Sequence, residues 1–424
     1  VNILVLASRV PATPSMPGSP RLYQFCRRLS QRHDLNLIVG DCQPRQFDLY
    51  EQHPEMRTIF RQMISLPVPP PSTWFRRNQH RLMLASHLRT DLLYPEYHRE
   101  VLRLVESTLV ALGPNTIVYV DGLQMTQYVP RAGDHKAIVD LHDCLSYLFA
   151  QQERLETHLY RKLVSRLETA SIARWEGALH KRFAVVIFNS SVDEALYRAQ
   201  APRTHTMVIS NGVDTEYYVP ASAPARSPVL LFTGVMDYGP NEDAAAYFCS
   251  EIFPQVRHAV PEAQFWIVGA NPTARVQQLA SQPGVRVLGA VPDMRPYLEA
   301  ARVFVSPLRV GAGMKNKVLA ALAMRLPVVA TPISLANIDV QHGSEVLVAG
   351  DADGFARHVT DLLRDDALAA RLGERGRNVV SERYSWNQRS EQLEEVLVQL
   401  LGHGMHPSSP AVHAASRTMA GSSY

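Results

Sequence analysis

The stretch Ser306 to Thr331, SPLRVGAGMKNKVLAALAMRLPVVAT, concentrates residues able to do chemistry: Arg309, Lys315 and Lys317 beside Gly311 and Gly313, ahead of an apolar helical pattern. Glycines let backbone amides approach a phosphate, a helix start adds partial positive charge, and the three cations add formal charge. The spacing describes a cradle for a diphosphate. A second turn, Phe232 to Asn241 (FTGVMDYGPN), follows an apolar run and carries Gly234 and Asn241 where a strand gives way to a helix. In open α/β sheets, ligands bind beyond the carboxyl ends of strands.

Other chemistries lack their signatures. No GxGxxG follows a strand, and Walker A, GxSxG and HExxH strings are all missing. The net charge of +3 over 424 residues is far from that of a chain built to grip nucleic acid. Cys26, Cys42, Cys144 and Cys249 fall at no metal-ligand spacing, which suits reduced thiols. Asp351 and Asp353 read as a helix start rather than a metal site.

Positioning these groups requires a scaffold, and hydrophobic patterning supplies one. Strands are expected at Asn2–Ala7, Leu35–Val39, Thr116–Val120, Ala137–Leu141 and Val185–Asn189, with a helix at Arg21–Arg32. Gln151 to Phe183 reads as one or two amphipathic helices, with Leu155, Leu159, Leu163, Leu167 and Ile172 as the apolar face. A Pro-rich linker, Val219 to Pro228, precedes a second alternation. Strands are expected at Val229–Thr233, Gln264–Val268, Val285–Leu288, Val303–Ser306 and Pro327–Ala330, with helices at Asn241–Val260, Asn316–Met324 and Trp386–Leu401. The fold class expected is α/β, two Rossmann-like domains facing a central cleft. The expected division is 1–219 and 220–385, then a helix over 386–402 returning to the first domain and a disordered tail over 403–424.

In these residues the chain resembles the family-four retaining glycosyltransferases of the GT-B fold, and among them the sugar transferases associated with exosortase and PEP-CTERM exopolysaccharide loci in bacteria. The matching pieces are Asn211-Gly212-Val213-Asp214, FTGVMDYGPN, Val291 to Tyr297, SPLRVGAGMKNKVL with Pro327 to Ala330, and Tyr384-Ser385-Trp386, in family order. The resemblance implies transfer of a hexosyl group from a nucleotide-diphosphate sugar, a co-substrate rather than a cofactor, with retention and without a metal. It makes Arg309 and Lys317 catalytic, and sets Gly234, Asn241, Val291, Met294, Gly311, Gly313, Lys315 and Ala320 around the donor. Gly18, Arg21 and His142 would line the acceptor side.

Many relatives carry glutamates where this chain has Ala312 and Ala320; the second accepts ribose hydrogen bonds, so weaker donor binding is expected. The partners implied are the donor and a polysaccharide or lipid-linked acceptor, with no nucleic acid. The basic run Trp74 to Arg81 offers contact with the inner membrane. The short apolar start, Asn2 to Ala7, suits neither a signal peptide nor a membrane span, so a cytoplasmic chain is expected. The residues alone leave open a catalytically weak nucleotide-binding scaffold, and a sugar-nucleotide epimerase or hydrolase. An epimerase would need convergent carboxylates, and no such pair is evident.

Overall fold

The computed structural model describes residues 1–11, 19–40, 53–67, 89–130, 136–156, 158–220, 227–311 and 313–402. Gly18, Cys42, Ala312, the Trp74 to Arg81 run and the 403–424 tail lie outside them.

The first sheet takes its strands from β1 (Asn2–Ala7), β2 (Asp34–Gly40), β3 (Phe60–Leu66), β4 (Ile117–Asp121), β5 (Lys136–His142), β6 (Val185–Phe188) and β7 (Thr206–Val208), ordered β3-β2-β1-β4-β5-β6-β7. Every pairing in it is parallel. Helices on both faces explain why β1 and β4 read as continuous apolar runs rather than alternating ones. The second sheet comprises β8 (Val229–Thr233), β9 (Gln264–Val268), β10 (Val285–Gly289), β11 (Val303–Ser306), β12 (Val328–Ala330) and β13 (Leu347–Val348). It is also all parallel and ordered β10-β9-β8-β11-β12-β13. The expected pair of Rossmann-like units is present.

Helix α1 (Pro20–Leu29) starts where Ser19 accepts a hydrogen bond from the Leu22 amide and Pro20 supplies a preset φ. Its apolar residues Leu22, Phe25, Cys26 and Leu29 are buried. The other helices that matter here are α2 (Pro95–Leu112), α3 (Leu145–Leu155), α4 (Leu159–Gly177), α5 (Gly239–Tyr247), α6 (Phe253–Ala259), α7 (Asn316–Ala323), α8 (Ala352–Arg364) and α9 (Trp386–Gly402). Asp351 caps α8 by accepting from the Gly354 amide, the helix start expected of it. Helix α9 returns to the first sheet: Trp386 meets Phe25 edge-on at 5.4 Å, and Leu393, Val396, Leu397 and Leu400 join that core.

Three expectations change. The single helix expected over Asn241–Val260 is broken by a π-turn at Phe248–Ile252, because Pro254 has no N–H to continue the ladder. Strand β3 and helix α2 were not anticipated; β3 is an edge strand whose Arg61 and Gln62 are exposed, which spoils its pattern. Finally, Leu159, Leu163 and Leu167 do not face the core. They are 84%, 58% and 57% exposed, while Ile172, farther along α4, is buried.

Candidate functional site

In the second sheet, chain crossovers leave β8 and β11 in opposite directions. The crevice at their carboxyl ends is therefore the topological switch point. Three segments meet there: the turn after β8, the loop after β11, and the start of α7. Gly234 follows β8 directly. A Cβ at that position would lie 2.6 Å from Asn241 Nδ2, so glycine is what lets Asn241 fold under the turn. Asn241 is buried, and its amide donates to the Val235 carbonyl at 2.9 Å. Its Oδ1 accepts from Lys317 Nζ at 2.6 Å.

The ammonium of Lys317 also lies 4.2 Å from the centroid of the Phe232 ring, on β8 itself. Among the described residues no carboxylate pairs with it. Burial, and secondarily the neighbouring Lys315, push its pKa down to about 7. A cation held in low-dielectric surroundings without a counter-charge favours an anionic ligand, which would restore the charged form.

Lys315 stands at the N-cap of α7, where its side chain makes no cap. It donates instead to the Gly313 carbonyl at 2.7 Å, and burial lowers its pKa too. The first-turn amides of α7 therefore have no side-chain oxygen from the N-cap, the usual condition of an anion-accepting helix start. Gly311 and Gly313 adopt φ of 141° and 69°, and a Cβ at Gly313 would meet nothing within 4 Å. Open space thus borders the cationic turn. The loop itself is anchored from below: Thr331 Oγ1 donates to the Leu308 carbonyl, and Ser334 Oγ donates to the Ser306 carbonyl at 2.6 Å.

Arg309 is elsewhere. Its guanidinium is 52% exposed, forms a two-pronged pair with Asp243 (Nε to Oδ2 3.0 Å) and lies over the Tyr247 ring at 4.5 Å. The expected third cation of the cradle is thus neutralised by α5, one turn after Gly239 begins that helix. Ala320, half-buried, is one turn along α7 from Lys317 and on the same face. Val291 and Met294 are partly buried beyond the carboxyl end of β10 and pack on the second core. Between them Asp293 accepts from Tyr217 Oη at 3.2 Å and pairs with Arg295, fastening that loop to the 213–218 segment.

The first sheet has its own crevice between β1 and β4, and its charges are matched. Arg21 is only 4% exposed, so it does not line an open cleft as expected. Its Nε donates to Asp140 at 2.7 Å, and its other nitrogens donate to the Ile209 carbonyl and Asn211 Oδ1. Burial alone would raise the Asp140 pKa; the charges of Arg21 and His142, with hydrogen bonds from Arg21 and Tyr119, bring it below the ordinary value. His142 ends β5 with φ of 69°, and its Nε2 lies 2.8 Å from Asp121 Oδ1. Burial disfavours the charged ring, but Asp140 and Asp121 outweigh it and raise the His142 pKa. Its two carboxylate neighbours thus favour the charged ring over what burial alone would allow.

Of the residues expected from sequence, Lys317, Asn241 and Gly234 come together at this crevice; Phe232, Ser306 and Thr331 lay within the two stretches singled out but were given no role, and Asp243 and Ser334 were not named. Only the placement of Phe232 in an apolar strand run was visible beforehand; nothing marked it as the surface beneath a lysine.

Residues 227–365 match the family model described as glycosyl transferases group 1. The lipopolysaccharide core biosynthesis glycosyltransferase LpsE of Rhizobium meliloti is 30% identical over 149 residues, 34% of this chain and 42% of that protein. The GDP-mannose-dependent monoacylated alpha-(1-6)-phosphatidylinositol monomannoside mannosyltransferase of Corynebacterium glutamicum is 28% identical over 213 residues, 45% of this chain and 55% of that protein. The chain thus spans about half the length of these relatives. By structure it is similar to sucrose-phosphate synthase of Thermosynechococcus elongatus, with a TM-score of 0.67, 17% identity, and 94% and 99% of the two chains covered. It is also similar to HepE of Anabaena solved with UDP, with a TM-score of 0.61, 15% identity, and 94% and 100% covered. The chain has the two-domain GT-B fold, and its second sheet with the cationic crevice lies within the part matching the glycosyl transferases group 1 family.

Proposed function

We propose that the protein is a glycosyltransferase that moves a hexosyl group from a nucleotide-diphosphate sugar to a polysaccharide or lipid-linked acceptor in cell-envelope or exopolysaccharide synthesis, with retention and without a metal. The observation that carries this is the ammonium of Lys317, unpaired with any carboxylate among the described residues, at the switch point of the second sheet. The similarity to LpsE and to the UDP-bound fold of HepE supports the same reading.

In this reading residues 220–385 bind the donor, residues 1–219 hold the acceptor, and the 386–402 helix ties the two. The diphosphate sits against Lys317, Lys315 and the first-turn amides of α7, with the base near Val291 and Met294. The bond from the anomeric carbon to the diphosphate oxygen breaks as the acceptor oxygen bonds to that carbon, and the acceptor proton passes to the departing phosphate. Negative charge grows on the leaving oxygen, where fixed cations lower the barrier more than they stabilise the ground state. No protein base is needed; the His142 ring, already bonded to Asp121, serves as a hydrogen-bonding group for a sugar hydroxyl. Arg309 plays no part in the diphosphate seat while it is paired with Asp243.

A panel of UDP-, GDP-, ADP- and dTDP-sugars, read by thermal shift and by nucleotide release, tests this. One donor class should raise the melting temperature and turn over with EDTA present. Lys317→Met should cut turnover about a hundredfold, a loss of about 2.7 kcal/mol at the transition state, while shifting the melting temperature by only about 3 °C. Parallel loss of stability and turnover would remove Lys317 from the chemistry. Ala320 favours a second reading, a nucleotide-binding scaffold of weak activity; binding without turnover on any acceptor would select it.

A further inference from the structure

We propose that the exposed face of α4 is a docking surface for an anionic lipid bilayer. Leu159, Leu163 and Leu167 recur every fourth residue and are all more than half exposed, with Tyr160 beside them at 55%. They form one row about 12 Å long at 1.5 Å per residue. Single exposed apolar residues need no explanation, but four together on one helix face do. From His158 to Leu167 the chain has three basic side chains, Arg161, Lys162 and Arg166, and no acidic one. Helical spacing puts Lys162 and Arg166 along one flank of the row, from which their long stems can reach headgroups as the leucines enter the acyl boundary. Arg161, Lys162 and Arg166 are themselves exposed.

A second feature lies on the same line. Continuing along α4, the row passes through Ser171 and Arg174 into a cavity of about 1140 Å³. Its walls also carry Arg89, Lys181 and Arg182 against Asp91 and Glu106, an excess of positive charge suited to a lipid phosphate. A helix lying flat on an anionic surface would present the apolar row and the basic cavity to it together. A second copy of the chain fits less well, since antiparallel pairing of two such helices about Val164 would set Lys162 against the other copy's Arg166. The α4 face is separate from the Lys317 crevice, so it stands or falls apart from the transferase reading.

The test uses the full chain and sedimentation with phospholipid vesicles of phosphatidylcholine, alone or with one third phosphatidylglycerol, at about 0.1 M salt, where the Debye length is about 10 Å. The wild-type protein should partition at least tenfold more strongly to the anionic vesicles. Leu163→Glu with Leu167→Glu should lose that binding at least tenfold, and Lys162→Glu with Arg166→Glu should lose both binding and salt dependence. Val110→Glu, at an isolated exposed residue on α2, should change nothing. Circular dichroism and nucleotide thermal shift on each variant separate this result from unfolding and from failure of the donor site. Equal partition of the wild type and the double-leucine variant would overturn the proposal. So would a wild-type dimer that Leu163→Glu dissolves, which would assign the face to a second copy.

Discussion

The two sheets share the same central strand pattern, yet their crevices are electrostatic opposites. Between β8 and β11 an ammonium rests on a ring and an amide, with no carboxylate paired to it among the described residues; between β1 and β4, Arg21 and His142 are met by Asp140 and Asp121. One crevice is left short of negative charge and the other is satisfied. Fold alone therefore does not say where a ligand goes; the charge balance at each switch point does. A matched buried pair holds the structure together, whereas an unmatched cation invites an anion at some expense to stability.

That contrast can be broken from either side. The largest effect should come from Arg21→Met, which strands Asp140 without its partner and should cost about 3–5 kcal/mol in urea unfolding. A loss below about 1 kcal/mol would mean the first crevice is not held by its charges. Next is pH. Lys317 has a folded pKa near 7, below the 10.5 of an unperturbed lysine. A bound diphosphate favours the protonated form, so raising the pH from about 7 to 8.5 should weaken donor binding about tenfold by calorimetry. The sign for stability is opposite. Between 7 and 10.5 the unfolded chain holds more protons at this residue, so its contribution to folding becomes more favourable as pH rises, and Lys317→Met should abolish that slope.

Ala320→Glu should tighten nucleoside diphosphate binding about tenfold, the effect of one carboxylate accepting a hydroxyl hydrogen bond at about 1.5 kcal/mol. Unchanged affinity would show that the face of α7 beside Lys317 does not meet the ribose. The smallest change is expected from Arg309→Ala: an exposed pair with Asp243 contributes about 0–1 kcal/mol, so turnover should fall less than about threefold. A larger loss would show that Arg309 leaves Asp243 for the donor.

Much of this was readable beforehand because parallel strands buried on both faces appear as short apolar runs, and Gly234 through Asn241 and Gly311 through Lys317 are local signals. What escaped depends on partners far apart in the chain. Arg309 is separated by 66 residues from Asp243, and Arg21 by 119 from Asp140, and no spacing rule connects them. The apolar row of α4 misled for a different reason. Helical periodicity identifies a face without saying what covers it, and Leu159, Leu163 and Leu167 carry the same pattern whether buried or open.

The return of α9 has a consequence for how the molecule is made. Because Leu393, Leu397 and Leu400 complete the core begun by β1 and α1, the first sheet cannot be finished until residues made after the whole second sheet have left the ribosome. Throughout translation of the second half, the groove awaiting Trp386 beside Phe25 stays uncovered. The first sheet should therefore depend more on chaperone protection than the second, whose cores are drawn from Val213 to Tyr384 alone.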